Sequence, residues 1–211
     1  MMRVAIVDYG MGNLRSVHQA LLRVAQNEEI RIVADAASIA AADRVVFPGQ
    51  GAMPDCMAEL ARRGLVDEIQ NAARNKPFLG ICIGLQMLFS HSEEGDIAGL
   101  NVFPGPVRRF ENTMQAADGA RLKVPHMGWN RVRQARPHPL WEKIADGARF
   151  YFVHSYFCVP DDPHMVAGTT DYGIDFASAA AADNRFAAQF HPEKSARDGL
   201  QLLANFLVWQ P

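Results

Sequence analysis

Phe78-Leu79-Gly80-Ile81-Cys82-Ile83-Gly84-Leu85-Gln86 sets a cysteine between glycines two residues to either side, where a short apolar strand runs into a helical pattern. This is the spacing of a nucleophile elbow with sulfur in place of a hydroxyl. A tight strand-to-helix turn lifts the nucleophile clear of a sheet in a strained backbone conformation, and side chains at Gly80 and Gly84 would crowd it. The helix that follows turns its N-terminal amides toward the sulfur, which favours thiolate over thiol, and the Ile83 amide is placed to bond an oxyanion. An inert buried cysteine at an ordinary strand-to-helix turn is the competing reading of this stretch alone.

A second element decides between them. In Ala187-Ala188-Gln189-Phe190-His191-Pro192-Glu193-Lys194 a strand pattern ends at a proline between a histidine and a glutamate. In extended chain, side chains i and i+2 project to one side, so Glu193 is expected to hold one ring nitrogen of His191 while the other faces Cys82. Nucleophile, base and orienter are then all present. A third element, Val45-Val46-Phe47-Pro48-Gly49-Gln50-Gly51-Ala52, is another strand ending in a glycine-rich loop. On the same carboxyl edge of a parallel sheet, a main-chain amide around Gln50 or Gly51 would be a second oxyanion donor. A phosphate-cradling loop is excluded, since the Lys-Ser/Thr of a P-loop is missing and Pro54 follows.

These three elements need a sheet to hold them, and the first half of the chain reads as one. Arg3 to Asp8, Glu29 to Ala34, Arg44 to Pro48 and Phe78 to Ile81 are nearly continuous apolar runs. Helical spacing separates them at Val17, Leu21, Leu22 and Val24, and again at Met57, Leu60, Leu65, Ile69 and Ala73. Continuous apolar strands alternating with helices mark a parallel sheet covered on both faces. The second half changes to strand-like stretches joined by Gly, Pro, Asp and Asn turns. They are Val107 to Phe110, Leu122 to Val124, Asn130 to Gln134, Phe150 to Val159, Met165 to Thr170, Phe176 to Ala182 and Arg185 to Phe190. Hairpins and an antiparallel portion follow. A last helix spans Ala196 to Trp209, with Leu200, Leu203, Phe206 and Leu207 on one face. The expected fold is a mixed α/β domain over residues 1–211, its central sheet largely parallel and flanked by helices, with an antiparallel portion in the second half.

An apolar fraction of 49% with 21% charged residues is globular and far from a disordered composition. A net charge of −2 without a single-sign block argues against nucleic acid and anionic membranes as partners. The first apolar run is too short for a signal peptide or a membrane span, so a buried first strand of a cytoplasmic protein is expected. Cys56, Cys82 and Cys158 are odd in number and widely spaced, which suits neither a disulfide framework nor a paired zinc site.

GICIGLQ, the upstream FPGQGA and the downstream QFHPEKS resemble the three signatures of class I glutamine amidotransferases. VAIVDYGMGNLRSV, the central VPHMGWN and the following YFVHSY are similar to the glutaminase subunits of imidazole glycerol phosphate synthases. The likeness extends over nearly the whole chain. It implies Cys82, His191 and Glu193 as a catalytic triad, and Gln86 with the Gly49, Gln50, Gly51 loop as glutamine-binding groups. His154, Ser155 and Tyr156 would be a main-chain clamp on the substrate, and Trp129, Asn130, Tyr151 and Lys194 would line a partner interface. Gln50 departs from the small apolar residue usual at that place. The simpler alternatives are a helix-surface amide for Gln86, core aromatics for Trp129 and Tyr151, and a solvated cation for Lys194.

The implied reaction is hydrolysis of L-glutamine to glutamate and ammonia through a γ-glutamyl thioester, with ammonia passed to a cyclase subunit in a heterodimer. Neither a metal nor an organic cofactor is required. A glutaminase serving pyridoxal phosphate synthesis fits the DYGMGN and PHMGWN segments less well. A cysteine peptidase or thioesterase-like hydrolase would use the same triad, and a catalytically silent binding module would have no need of it.

Overall fold

The structure, a computed structural model, describes residues 1–116 and 118–211. Strands β1 (Arg3–Val7), β2 (Glu29–Val33), β3 (Arg44–Gly49) and β4 (Phe78–Cys82) alternate with helices α1 (Leu14–Val24), α2 (Ala36–Ala41), α3 (Met53–Arg62) and α4 (Val66–Asn75). Helix α5 (Ile83–Met87) follows β4 without a break. Then come β5 (Phe89–Ser92), β6 (Ile97–Ala98), β7 (Phe103–Arg109), β8 (His126–Arg131), β9 (Arg133–Gln134), β10 (Arg149–His154) and β11 (Tyr156–Cys158). Strands β12 (Val166–Asp171), β13 (Asp175–Ala182) and β14 (Arg185–Ala188) precede the closing helix α6 (Ala196–Val208).

Among the described residues the strands form a twelve-stranded sheet and a separate two-stranded ribbon of β8 and β10. The main order is β2-β1-β3-β4-β14-β13-β11-β7-β5-β6, with β12 on β13 and β9 on β12. Strands β2, β1, β3, β4 and β14 run parallel, and every residue of β3 and β4 is buried, as continuous apolar runs require. From β14 to β13, and on through β11 to β7, the pairing is antiparallel. The mixed sheet expected from the sequence is therefore what forms, and no described helix is long and apolar enough to cross a membrane.

Three local expectations are corrected. Leu122 to Val124 is not a strand: Leu122 N–H bonds the Met114 carbonyl and the Tyr172 hydroxyl bonds the Lys123 carbonyl, so the segment is held as a loop. Phe150 to Val159 breaks at Ser155 into β10 and β11, which belong to different sheets. The helix after Cys82 has only five residues. Its end is set from outside, because Leu100 N–H takes the Met87 carbonyl at 2.7 Å and Val102 and Phe103 take that of Leu88 at 2.8 and 2.9 Å. With those carbonyls satisfied by another segment, the chain turns into β5.

Candidate functional site

Cys82 closes β4 with φ 55° and ψ −111°, a conformation a non-glycine residue holds only where its surroundings enforce it. Gly49, at the end of β3, pairs in register with Cys82 on one side. On the other side Ala188 of β14 pairs with Ile81, so the chain leaving β14 reaches the same edge of the sheet and carries His191 with it. His191 is tied down by its own backbone: its N–H bonds the Tyr151 carbonyl at 2.9 Å and its carbonyl accepts from Ser195 Oγ at 2.6 Å. Short as α5 is, a helical dipole contributes little here. What the turn does provide is unpaired first-turn amides next to the sulfur.

His191 Nδ1 and Glu193 Oε1 are 2.8 Å apart, and both side chains are almost wholly buried. The pairing matches the expectation, but the reason does not. Pro192–Lys194 is a 3-10 turn with His191 at its cap and Lys194 N–H on the His191 carbonyl, rather than extended chain. The turn brings the carboxylate back under the ring. Burial by itself would lower the His191 pKa, but the Cys82 sulfur and then Glu193 more than offset it and carry it up to about 10. An imidazolium facing the sulfur and fixed from behind by a carboxylate can deliver a proton from Nε2.

A cavity of about 280 Å³ opens in front of the sulfur, lined by Cys82, Ile83 and His191 and by ten further residues. Gln50, Gly51 and Gln86 are among them. The segment Val153, His154, Ser155 and Tyr156 forms another part of the wall. Gly49 lies just behind, with no room for a side chain between it and the start of α5. Gln86 is buried and not a surface amide: Nε2 donates to the Tyr156 carbonyl at 3.0 Å and to Gln189 Oε1 at 3.1 Å, which leaves Oε1 without a partner. Gln189 Nε2 in turn lies 3.9 Å from Cys82 Sγ. The Ser155 carbonyl takes the Phe110 amide, so the clamp segment is held as a wall by its own bonds.

Behind that wall runs a relay. Asn130 Nδ2 donates to His126 Nε2 at 3.3 Å, His126 Nδ1 lies 2.8 Å from His154 Nε2, and His154 Nδ1 lies 2.8 Å from the Tyr156 carbonyl. Burial lowers the His126 pKa to about 4; burial, then His126, lowers that of His154 to about 3. Both rings are thus neutral at pH 7, and the chain is satisfied when each donates from Nδ1.

Trp129 and Tyr151 are cross-strand neighbours of β8 and β10, with ring centroids 6.3 Å apart, and the Lys194 ammonium stands 5.9 Å from the Tyr151 ring centre. Trp129 is 45% exposed, so it is not a core aromatic, and Met127 on the same ribbon is more exposed still. Lys194 also touches the cavity, so the two groups of residues that the sequence separated are contiguous. Sequence reasoning missed three side chains here: Glu94, Gln189 and His126. Glu94 lines the cavity while its Oε2 accepts the Met53 N–H at 2.8 Å. In the sequence it sits in the charged turn Ser92-Glu93-Glu94-Gly95-Asp96, where nothing separates it from a solvated carboxylate. Among the described residues no cluster of three or more His, Cys, Asp or Glu side chains is arranged to hold a metal ion.

Residues 5–209 match the family described as Glutamine amidotransferase class-I. The chain belongs to the class-I glutamine amidotransferases. As a member of that family it is an enzyme. Two relatives of this amidotransferase are the imidazole glycerol phosphate synthase subunits HisH of Aromatoleum aromaticum and Dechloromonas aromatica. Each is 62% identical over 209 residues, covering 99% of this chain and 99% and 97% of theirs. The amidotransferase fold is shared with PurLQS from Thermotoga maritima (TM-score 0.74, 19% identity, 98% of this chain and 97% of that one). It is also shared with a crystal structure titled glutamine amidotransferase (TM-score 0.72, 18% identity, 97% and 96%).

Proposed function

We propose that the chain, as one domain over residues 1–211, hydrolyses L-glutamine and hands the ammonia to the cyclase subunit of an imidazole glycerol phosphate synthase. The observation that carries this reading is the buried His191–Glu193 pair, set behind a strained Cys82 at the mouth of an amino-acid-sized cavity. Cys82 Sγ attacks the carboxamide carbon, and the charge that develops on oxygen is met by the Ile83 amide and an amide of the Gly49 to Gly51 loop. His191 gives its proton to the departing nitrogen, ammonia leaves, and a γ-glutamyl thioester remains. Water, deprotonated by His191, attacks the thioester; glutamate departs and the sulfur is restored. Glu193 holds the ring through both steps. Gln86 Oε1 and the Glu94 carboxylate are acceptors for the substrate's ammonium group, and the segment from His154 to Tyr156 is part of the wall that holds the substrate.

The 62% identity to two proteins named as HisH subunits supports the cyclase as partner and histidine biosynthesis as the setting, with imidazole glycerol phosphate and the aminoimidazole carboxamide ribotide by-product as the complex's products. The exposed Trp129 on its ribbon, with Tyr151 across from it and Lys194 at the cavity, is the proposed docking face, whereas the Asn130 side chain turns to the other face of the ribbon, toward His126 and the Asp171 carbonyl. No cofactor is invoked, and the cytoplasm is the proposed compartment. The test is Cys82→Ala in the complex with the cyclase. Glutamine-dependent synthesis is expected to vanish while ammonium at alkaline pH sustains synthesis near the wild-type rate. Persistent glutamine-dependent synthesis refutes Cys82 as nucleophile; loss of both activities in an intact complex refutes ammonia delivery as the chain's whole role.

A further inference from the structure

The loop Pro48-Gly49-Gln50-Gly51 is held from behind by two side chains that the chemistry above leaves unused. Tyr9, wholly buried, donates its hydroxyl to the Pro48 carbonyl at 3.0 Å, with Met87 Sδ 3.6 Å away. Cys56, wholly buried on α3, donates its thiol to the Gln50 carbonyl at 3.5 Å. Neither lines the cavity. Both are protonated donors at neutral pH: burial pushes Cys56 up to about 11, and burial followed by the neighbouring Cys56 raises Tyr9 far above the usual phenol value.

In a planar trans peptide the carbonyl and the next N–H point in opposite directions, so fixing a carbonyl fixes the amide that follows it. Tyr9 sets the peptide between residues 48 and 49, and Cys56 sets the one between residues 50 and 51. The Gly49-Gln50 peptide lies between two fixed planes. We propose that Tyr9 and Cys56 are positioning residues that hold the amides of this loop in the geometry its oxyanion role requires. The inference rests on reading the loop as an oxyanion donor.

The test uses the full-length protein with its cyclase partner and the variants Cys56→Ala, Cys56→Ser and Tyr9→Phe. Removing an oxyanion donor outright costs about 10²–10³ in rate, and a donor that is present but misdirected costs a fraction of that, so about 10-fold is expected. Cys56→Ala and Tyr9→Phe should each lower glutaminase kcat about 10-fold with KM within about 2-fold. Cys56→Ser, which keeps a donor, should recover to within about 3-fold of wild type. Alkylation of Cys82 by iodoacetamide develops no oxyanion, so its rate should stay unchanged in all three. Wild-type kcat in both Cys56→Ala and Tyr9→Phe overturns the proposal. So does a fall in alkylation rate parallel to the fall in kcat, or failure of Cys56→Ser to recover. Glutamine turnover surviving Cys82→Ala sinks instead the underlying reading of the site.

Discussion

Replacing Gly84 with alanine separates catalytic geometry from general stability. A Cβ built on Gly84 falls 2.0 Å from the Phe47 carbonyl oxygen and 3.0 Å from its carbon, whereas carbon and oxygen in contact normally keep ~3.3 Å. The obstacle is backbone, so no side chain can swing away and the start of α5 must move from the end of β3 by ~1 Å. Those two segments carry Ile83 and the Gln50-Gly51 loop, so the oxyanion site widens by the same amount. Overpacking of a tight core costs ~1–3 kcal/mol, which for a chain of this size lowers Tm by roughly 2–12 °C. A displacement of ~1 Å at reacting groups costs ~10²-fold in rate. At Gly80 the nearest atoms are Ala187 Cβ at 2.9 Å, Leu88 Cδ1 at 3.1 Å and the Gly84 carbonyl oxygen at 3.2 Å, overlaps that a shift of a few tenths of an ångström relieves. Gly80→Ala should therefore cost stability but less than ~10-fold in turnover. Melting curves and glutaminase kinetics on both variants, with ammonium-dependent synthesis as control, decide the matter. The reasoning is refuted if Gly84→Ala keeps wild-type kcat, or if Gly80→Ala loses more turnover than Gly84→Ala.

Two further outcomes follow from the buried histidines. Glu193→Gln keeps an acceptor for His191 Nδ1 but removes the charge that helps hold its proton. Turnover should fall ~10–10²-fold, less than the ~10³-fold or more expected for His191→Ala, at similar melting temperature; an equal or greater loss would reverse the roles of base and orienter. His126 and His154, with pKa lowered to about 4 and about 3 from the ordinary 6.5, are neutral when folded and take up protons when unfolded. Their contribution to stability is complete above pH 6.5 and is lost as pH falls toward 4, with a slope of up to about 1.4 kcal/mol per pH unit for each. His191, raised to about 10, acts in the opposite direction and only above pH 6.5, so it does not mask the acid-side slope. Urea midpoints that stay flat between pH 6.5 and 4.5 would show that these rings are not held neutral.

The residues that carry the proposed chemistry were legible because their signals are short-range. The turn at Cys82 needs glycine two residues to either side, and the pairing of His191 with Glu193 spans two residues, so both leave a mark in a few adjacent letters. Continuous apolar runs marked β1, β3 and β4 for the same reason, since burial on both faces leaves no room for alternation. The rest depended on partners far along the chain. Helix α5 stops after five residues because Leu100, Val102 and Phe103 take its last carbonyls, and no letter within the helix says so. Ser155 divides a continuous strand-like stretch because β8 captures one half and β7 and β13 the other. Gln189 reads as strand filler until it meets Gln86, 103 residues away, and Glu94 reads as a solvated carboxylate until the fold carries it to the cavity. An amide or a carboxylate has the same local propensity wherever it lies, and only the tertiary structure decides whether it faces water, a backbone carbonyl or a reacting sulfur.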